Sequence, residues 1–202
     1  KKISEFDRTF HDASLLFDDD GKVYLAYGSG QIRITELKSD LSDVKPDGLD
    51  VVVIKGKEDG FPNLLEGTHL CKYNDKYYMF LIWWPQGGIR TQLCFRSDQI
   101  GGPYESKVIL SDFMDRLGAG VAQGCIVDTE DGDWYGFLFQ DRGAVGRVPV
   151  LMPCRWEDGW PILGNEEGKV PKVMEKPIQG FNATPLVISD NFDTDKLALN
   201  WQ

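Results

Sequence analysis

Hydrophobic positions in this chain fall in short runs with little helical spacing. Runs rich in Val, Ile, Tyr, Phe and Trp alternate with turns of Gly, Asp, Asn and Pro, the pattern of strands joined by tight connections. Three stretches superpose without gaps. They open on Asp12-Ala13-Ser14-Leu15-Leu16, Glu66-Gly67-Thr68-His69-Leu70 and Gln123-Gly124-Cys125-Ile126-Val127. Each runs into an acidic turn (Asp18 to Gly21, Asn74-Asp75, Asp131-Gly132) and then an aromatic strand, 23–27, 77–81 or 134–138. Tyr24, Tyr78 and Tyr135 each follow the first matched position by 12 residues, and the repeat advances by 54 and then 57. A third strand begins near Ile32, Ile89 and Gly146. A repeat of roughly 50 residues holding three or four antiparallel strands reads as a propeller blade. The competing expectation is a β-sandwich with coincidental hairpins; the three-way register favours the propeller.

The first strand of a blade lines the central channel. Asp12, Glu66 and Gln123 are therefore expected to face one another at one level of it. Two residues on, Ser14, Thr68 and Cys125 are small, as a narrow channel needs. Leu16, Leu70 and Val127 follow on the same face, so the channel is expected to turn apolar away from its polar mouth. Strand direction sets three loops around that mouth: 28–30, 83–88 and 140–146. They bring Trp83 and Trp84, Asp141 and Arg142, and lead into Arg147. Indole faces beside carboxylates suit sugar rings, whose C–H faces stack while their hydroxyls bond to polar groups.

Composition narrows the partners. The 202 residues carry a net charge of −10, which disfavours nucleic acid and anionic membranes and leaves a neutral sugar polymer compatible. Hydrophobic residues make up 42% of the chain, enough for a core, and six are Trp. Cys71, Cys94, Cys125 and Cys154 show no CxxC spacing and no clustering with His11 or His69, so a zinc site is not expected. A Cys71–Cys94 bridge and four free thiols both remain open. Glycoside hydrolysis needs one carboxyl group protonated and a second to activate water or attack the sugar. Two neighbouring carboxylates push one of them toward its protonated form. An Asp at a strand start is also a turn former, and a Glu can serve only as an ion-pair partner; two acids at matched blade positions favour chemistry.

At these residues the chain resembles glycoside hydrolase family 43. The resemblance rests on His11-Asp12-Ala13-Ser14-Leu15-Leu16-Phe17, Leu65-Glu66-Gly67-Thr68-His69-Leu70 and Ile100-Gly101-Gly102-Pro103-Tyr104-Glu105. Trp134-Tyr135 and the stretch from Gly146-Arg147 to Trp160-Pro161 add to it. It covers about residues 9 to 185. The resemblance implies an all-β, five-bladed propeller, only part of it in this chain, that hydrolyses β-xylosides and α-L-arabinofuranosides with inversion. It implies Glu66 as general acid, Asp12 as the residue that tunes the acid's pKa and orients it, and Arg147 as a sugar contact. Gln123, Trp83, Trp84 and Arg142 complete the expected substrate surface. Gln123 stands where many members carry a channel histidine, sometimes linked to a bound Ca2+; no cofactor is otherwise required. The family's general base is an Asp of the first blade, and neither Glu5 nor Asp7 has its surroundings, so the base is expected ahead of this chain. Residues 1–185 are expected to be the propeller, and 186–202 a linker opening a β-sandwich, on Ser189 to Asp193 and Leu199 to Gln202. The substrate would be a xylo-oligosaccharide or arabinoxylan, and the location secreted or periplasmic in a bacterium. The alternative is a sugar-binding propeller without catalysis.

Overall fold

The computed structural model describes residues 9–115, 119–178, 180 and 189–196. Glu5 and Asp7, the expected boundary near 185 and the segment 199–202 lie outside them. The described residues form twelve strands and one 3-10 turn, Gly143–Val145. The strands make three four-stranded antiparallel sheets. The first holds β1 (Ser14–Phe17), β2 (Val23–Ser29), β3 (Gln31–Leu37) and β4 (Asp50–Lys55). The second holds β5 (Leu64–Tyr73), β6 (Lys76–Trp84), β7 (Thr91–Ser97) and β8 (Glu105–Leu110). The third holds β9 (Ala122–Asp128), β10 (Trp134–Asp141), β11 (Arg147–Glu157) and β12 (Trp160–Leu163). Spatial order follows chain order in every sheet, so each is a meander with its first strand at one edge. These are the three expected blades. Among the described residues no helix is long and apolar enough to cross a membrane.

Alternate side chains of a strand leave opposite faces of the sheet, and the apolar runs are long enough to cover both. Leu16, Tyr24, Ala26, Ile32 and Ile34 of the first blade pack on Leu65, Leu70, Met79, Leu81 and Leu93 of the second. On the other face of the second blade, Tyr78, Phe80 and Cys94 meet Ile126, Leu138, Met152 and Leu163 of the third. Met79, Phe80 and Leu81 are fully buried, and each contributes about 1.5–3 kcal/mol by leaving water. Leu15 and Phe17 on one outer blade, and Val127 and Phe137 on the other, are exposed.

This packing corrects the expected apolar lining of the channel. Leu16 and Leu70 sit in the layer between two blades, and Val127 lies on the exposed face of the third blade. A blade presents its faces to its neighbours and only its inner edge to the channel. The open question on the cysteines is also answered. All four are free thiols, grouped between the second and third blades. Burial pushes Cys71 and Cys154 up to about 12, so they stay protonated at neutral pH.

The gapless match is off by one residue in the middle blade. Ser14 pairs with Ala26 and Cys125 with Phe137, as matched, but Phe80 pairs with His69 in place of Thr68. The hairpin turns explain this. Tyr73 and Lys76 flank a two-residue turn in which Asn74 and Asp75 both have positive φ, the geometry of a type I′ turn. The other two hairpins turn through five residues, closed by the Asp18 N–H to Lys22 carbonyl and Thr129 N–H to Asp133 carbonyl bonds, both 2.9 Å.

Candidate active site

Every inner strand reaches the channel mouth through a one-residue bulge. Pairing skips a residue between Glu66 and His69 and between Ala122 and Cys125. In the first blade the Gly28 N–H donates to the His11 carbonyl at 2.9 Å while Ser14 pairs with Ala26. The bulged residues are Asp12, Gly67 and Gln123, with φ of 46°, 73° and 69°. Asp12, Gly67 and Gln123 are thus the equivalent positions, and Glu66 is the counterpart of His11. A bulge re-aims the side chains beside it, and here it points three blades at one small volume.

Asp12 Oδ2 accepts from the Gly67 N–H of the second blade at 3.0 Å and from Gln123 Nε2 of the third at 3.4 Å. Gln123 is itself fixed: its N–H donates to Gln92 Oε1 at 2.7 Å. Gln92 is buried and donates to the Leu81 and Leu93 carbonyls. Glu66 Oε2 accepts from Ser29 Oγ at 3.0 Å and lies 3.0 Å from His11 Nε2. The same nitrogen is 3.4 Å from Asp12 Oδ2. The three groups place one ligand-type atom each within 4.8 Å of one another. Their side chains are 47% (His11), 32% (Asp12) and 21% (Glu66) exposed, open enough to meet a ligand. At 3.0 Å, either the imidazole donates to the carboxylate or a protonated Glu66 donates to the imidazole. The pair shares one proton across this contact.

The expected substrate surface divides. Trp84 is exposed, and the Arg90 guanidinium lies 4.7 Å from its ring. Trp83 is committed to packing: its Nε1 donates to the Pro62 carbonyl at 3.0 Å and its ring meets Phe61 edge-on. Arg142 is paired with Asp115 at 3.0 Å. Arg147 is exposed, 3.7 Å from Asp141 Oδ1 and stacked over Phe139. Asp141 also pairs with Arg90, tying the mouth loops of the second and third blades together. Calcium takes six to eight oxygen ligands, whereas Gln123 offers one amide oxygen and its Nε2 is turned to Asp12.

His11, Ser29, Gln92 and Arg90 were not singled out from the sequence. His11 was hidden by the off-by-one match, since allowing one gap in the Asn74-Asp75 turn sets it opposite Glu66. Ser29 lay inside a loop already assigned to the mouth.

Blades that converge two carboxylates, an imidazole and an amide on their inner ends define a β-propeller with a polar site at its channel. The family model for glycosyl hydrolases family 43 matches residues 2–161, and the chain belongs to that family, whose fold is a five-bladed β-propeller. A bifunctional GH43-CE protein of Bacteroides eggerthii is 46% identical with a TM-score of 0.75, over 84% of this chain and 21% of that one. An engineered GH43 glycoside hydrolase displaying both endo-xylanase and exo-arabinofuranosidase activity is 30% identical with a TM-score of 0.76, over 91% of this chain and 34% of that one. The beta-xylosidase of Formosa agariphila is 28% identical over 223 residues, which is 98% of this chain and 36% of that protein. The chain spans between about a third and a half of the length of the curated relatives it matches.

Proposed function

We propose that this chain carries the acid half of a glycosidase that removes terminal xylose or arabinofuranose units from xylan-derived saccharides with inversion. Glu66 protonates the leaving oxygen. Asp12 and His11 hold it in place. The observation that carries this reading is the Glu66 carboxylate, held at 3.0 Å by both Ser29 and His11 beside a second carboxylate.

The same geometry argues that Asp12 is not the second catalytic carboxylate. An inverting pair stands about 6.5–9.5 Å apart, and a retaining pair about 5–5.5 Å apart across the sugar. Between Asp12 and Glu66 lies the His11 nitrogen, 3.4 and 3.0 Å from the two, so no ring fits between them. Both acids serve one side of the bond, and the base comes from outside the described residues. Arabinoxylan or a xylo-oligosaccharide is the substrate class, in keeping with the names of the relatives. Exposed Trp84 and Arg147 are the groups placed to meet it.

Glu66→Gln in the full-length protein should lower turnover of an oligosaccharide by about 10²–10⁴-fold, the usual worth of a general acid. An aryl glycoside with a good leaving group needs less protonation and should lose much less. Equal losses on both substrates would remove Glu66 from the acid role. The first-formed sugar anomer should be inverted, and initial retention would overturn the mechanism. Oligosaccharide binding without any sugar release would favour a carbohydrate-binding module.

A further inference from the structure

We propose that His11, Asp12 and Glu66 form a binding site for a divalent d-block cation, with Zn2+ as the representative, and that its occupancy inhibits the enzyme. The inhibition rests on the acid role proposed above for Glu66; the binding does not.

The donor set is one imidazole nitrogen and two carboxylate oxygens, the ligands zinc takes in sites that keep an open position. Zinc bonds of about 2.0–2.2 Å in a tetrahedron set neighbouring ligand atoms about 3.4 Å apart. His11 Nε2 lies 3.0 Å from Glu66 Oε2 and 3.4 Å from Asp12 Oδ2, and all three atoms fall within 4.8 Å of one another. The ligands come from two blades and are held by other groups. The Gly67 N–H and Gln123 Nε2 fix Asp12, and Ser29 Oγ fixes Glu66. Such supporting hydrogen bonds orient metal ligands and raise affinity. The imidazole and the small ligand number select against Ca2+ and Mg2+, which want more oxygens. A bound Zn2+ would occupy the Glu66 oxygen and the His11 lone pair together. The acid could then carry no proton.

The test uses the full-length protein without a histidine tag, stripped of metal and titrated with ZnCl2 by calorimetry. One saturable site per chain is expected, unaffected by excess Ca2+. His11→Gln should weaken it by about 10-fold or more, and Glu66→Gln should weaken it too. The chain's other histidine, His69, packs against Phe80, and His69→Gln should leave the affinity unchanged. Zinc affinity unchanged in both His11→Gln and Glu66→Gln would overturn the site; the second variant keeps the acid's skeleton and decides the matter if the first does not fold. In assays Zn2+ should compete with xylo-oligosaccharide, raising KM at constant kcat. Zinc binding by a protein that releases no sugar would leave the site standing and remove the glycosidase reading. Sugar release unaffected at saturating Zn2+ would overturn the inhibition.

Discussion

Gly67 has little room at the channel mouth. Its φ of 73° belongs to the left-handed region, which side chains other than glycine's rarely adopt. A Cβ there would stand 2.8 Å from Gln123 Cγ and 3.0 Å from Ile82 Cγ2. Its N–H is also one of the two donors that hold Asp12. Gly67→Ala should therefore cost about 1–3 kcal/mol of stability. It should also depress kcat more than KM, because the acid pair is displaced while Trp84 and Arg147 are untouched. Unfolding midpoint and kcat both equal to the parent's would show that the mouth has slack. The carboxylates themselves were legible in the sequence, since Asp12 and Glu66 stand in motifs that resemble those of the family, although the spacing paired them one residue off. His11 was not, because a lone histidine beside an acid carries no signal until the fold sets it against Glu66.

The bulge repeats in all three inner strands, and it depends on a buried polar support. Gln92 on β7 holds the Gln123 N–H at the third bulge and gives its own two donors to backbone carbonyls. Gln92→Leu keeps the volume but leaves the Gln123 N–H without a partner, at a cost of about 1–3 kcal/mol. It should also free Gln123 from Asp12, so activity should fall further than the stability loss explains. A urea titration with an assay on the folded fraction separates the two effects. Strands and blade order were readable because period-2 patterning and aromatic strands repeat. The bulges and the true register were not. A five-residue turn and a type I′ turn differ in how far they let the strands run on, and a match anchored on Tyr24, Tyr78 and Tyr135 absorbs that difference as a false equivalence. The channel lining failed for a related reason, since strand alternation says which residues share a face but not that both faces are covered by neighbouring blades.

Blade is joined to blade by apolar layers, but polar ties at both ends of the strands set the alignment. At the mouth the tie is Asp12. At the far end of β1 it is Asp18, whose carboxylate is 2% exposed and bonds Lys72 Nζ at 2.7 Å and Tyr77 Oη at 2.6 Å on the second blade. The second and third blades are tied by Tyr78 Oη to the Gly159 carbonyl at 3.0 Å and Arg96 to the Asp158 carbonyl at 2.7 Å. Burial works to raise the Asp18 pKa, but the bonds from Lys72, Tyr77 and the Asp19 N–H outweigh it and hold the group below the ordinary carboxylate range. A carboxylate whose pKa is lower folded than unfolded contributes stability that is complete above the unfolded value and is lost as pH falls through the folded one. Tyr77, raised to about 12 chiefly by burial, and Lys72, also raised by its bonds to Asp18 and Asp19, stay protonated across the neutral range. The tie should therefore be constant from about pH 5 to 9 and weaken as the pH falls below the ordinary Asp value and through the lowered folded one. Asp18→Asn should destabilise the protein at pH 7 by about 1–3 kcal/mol, the worth of a buried hydrogen-bonded charge left without its partner. The gap between parent and variant in urea midpoints should hold steady down to about pH 5 and narrow as the pH falls below the ordinary carboxylate range. A gap that stays constant down to pH 3 would mean that Asp18 does not carry the alignment of these two blades.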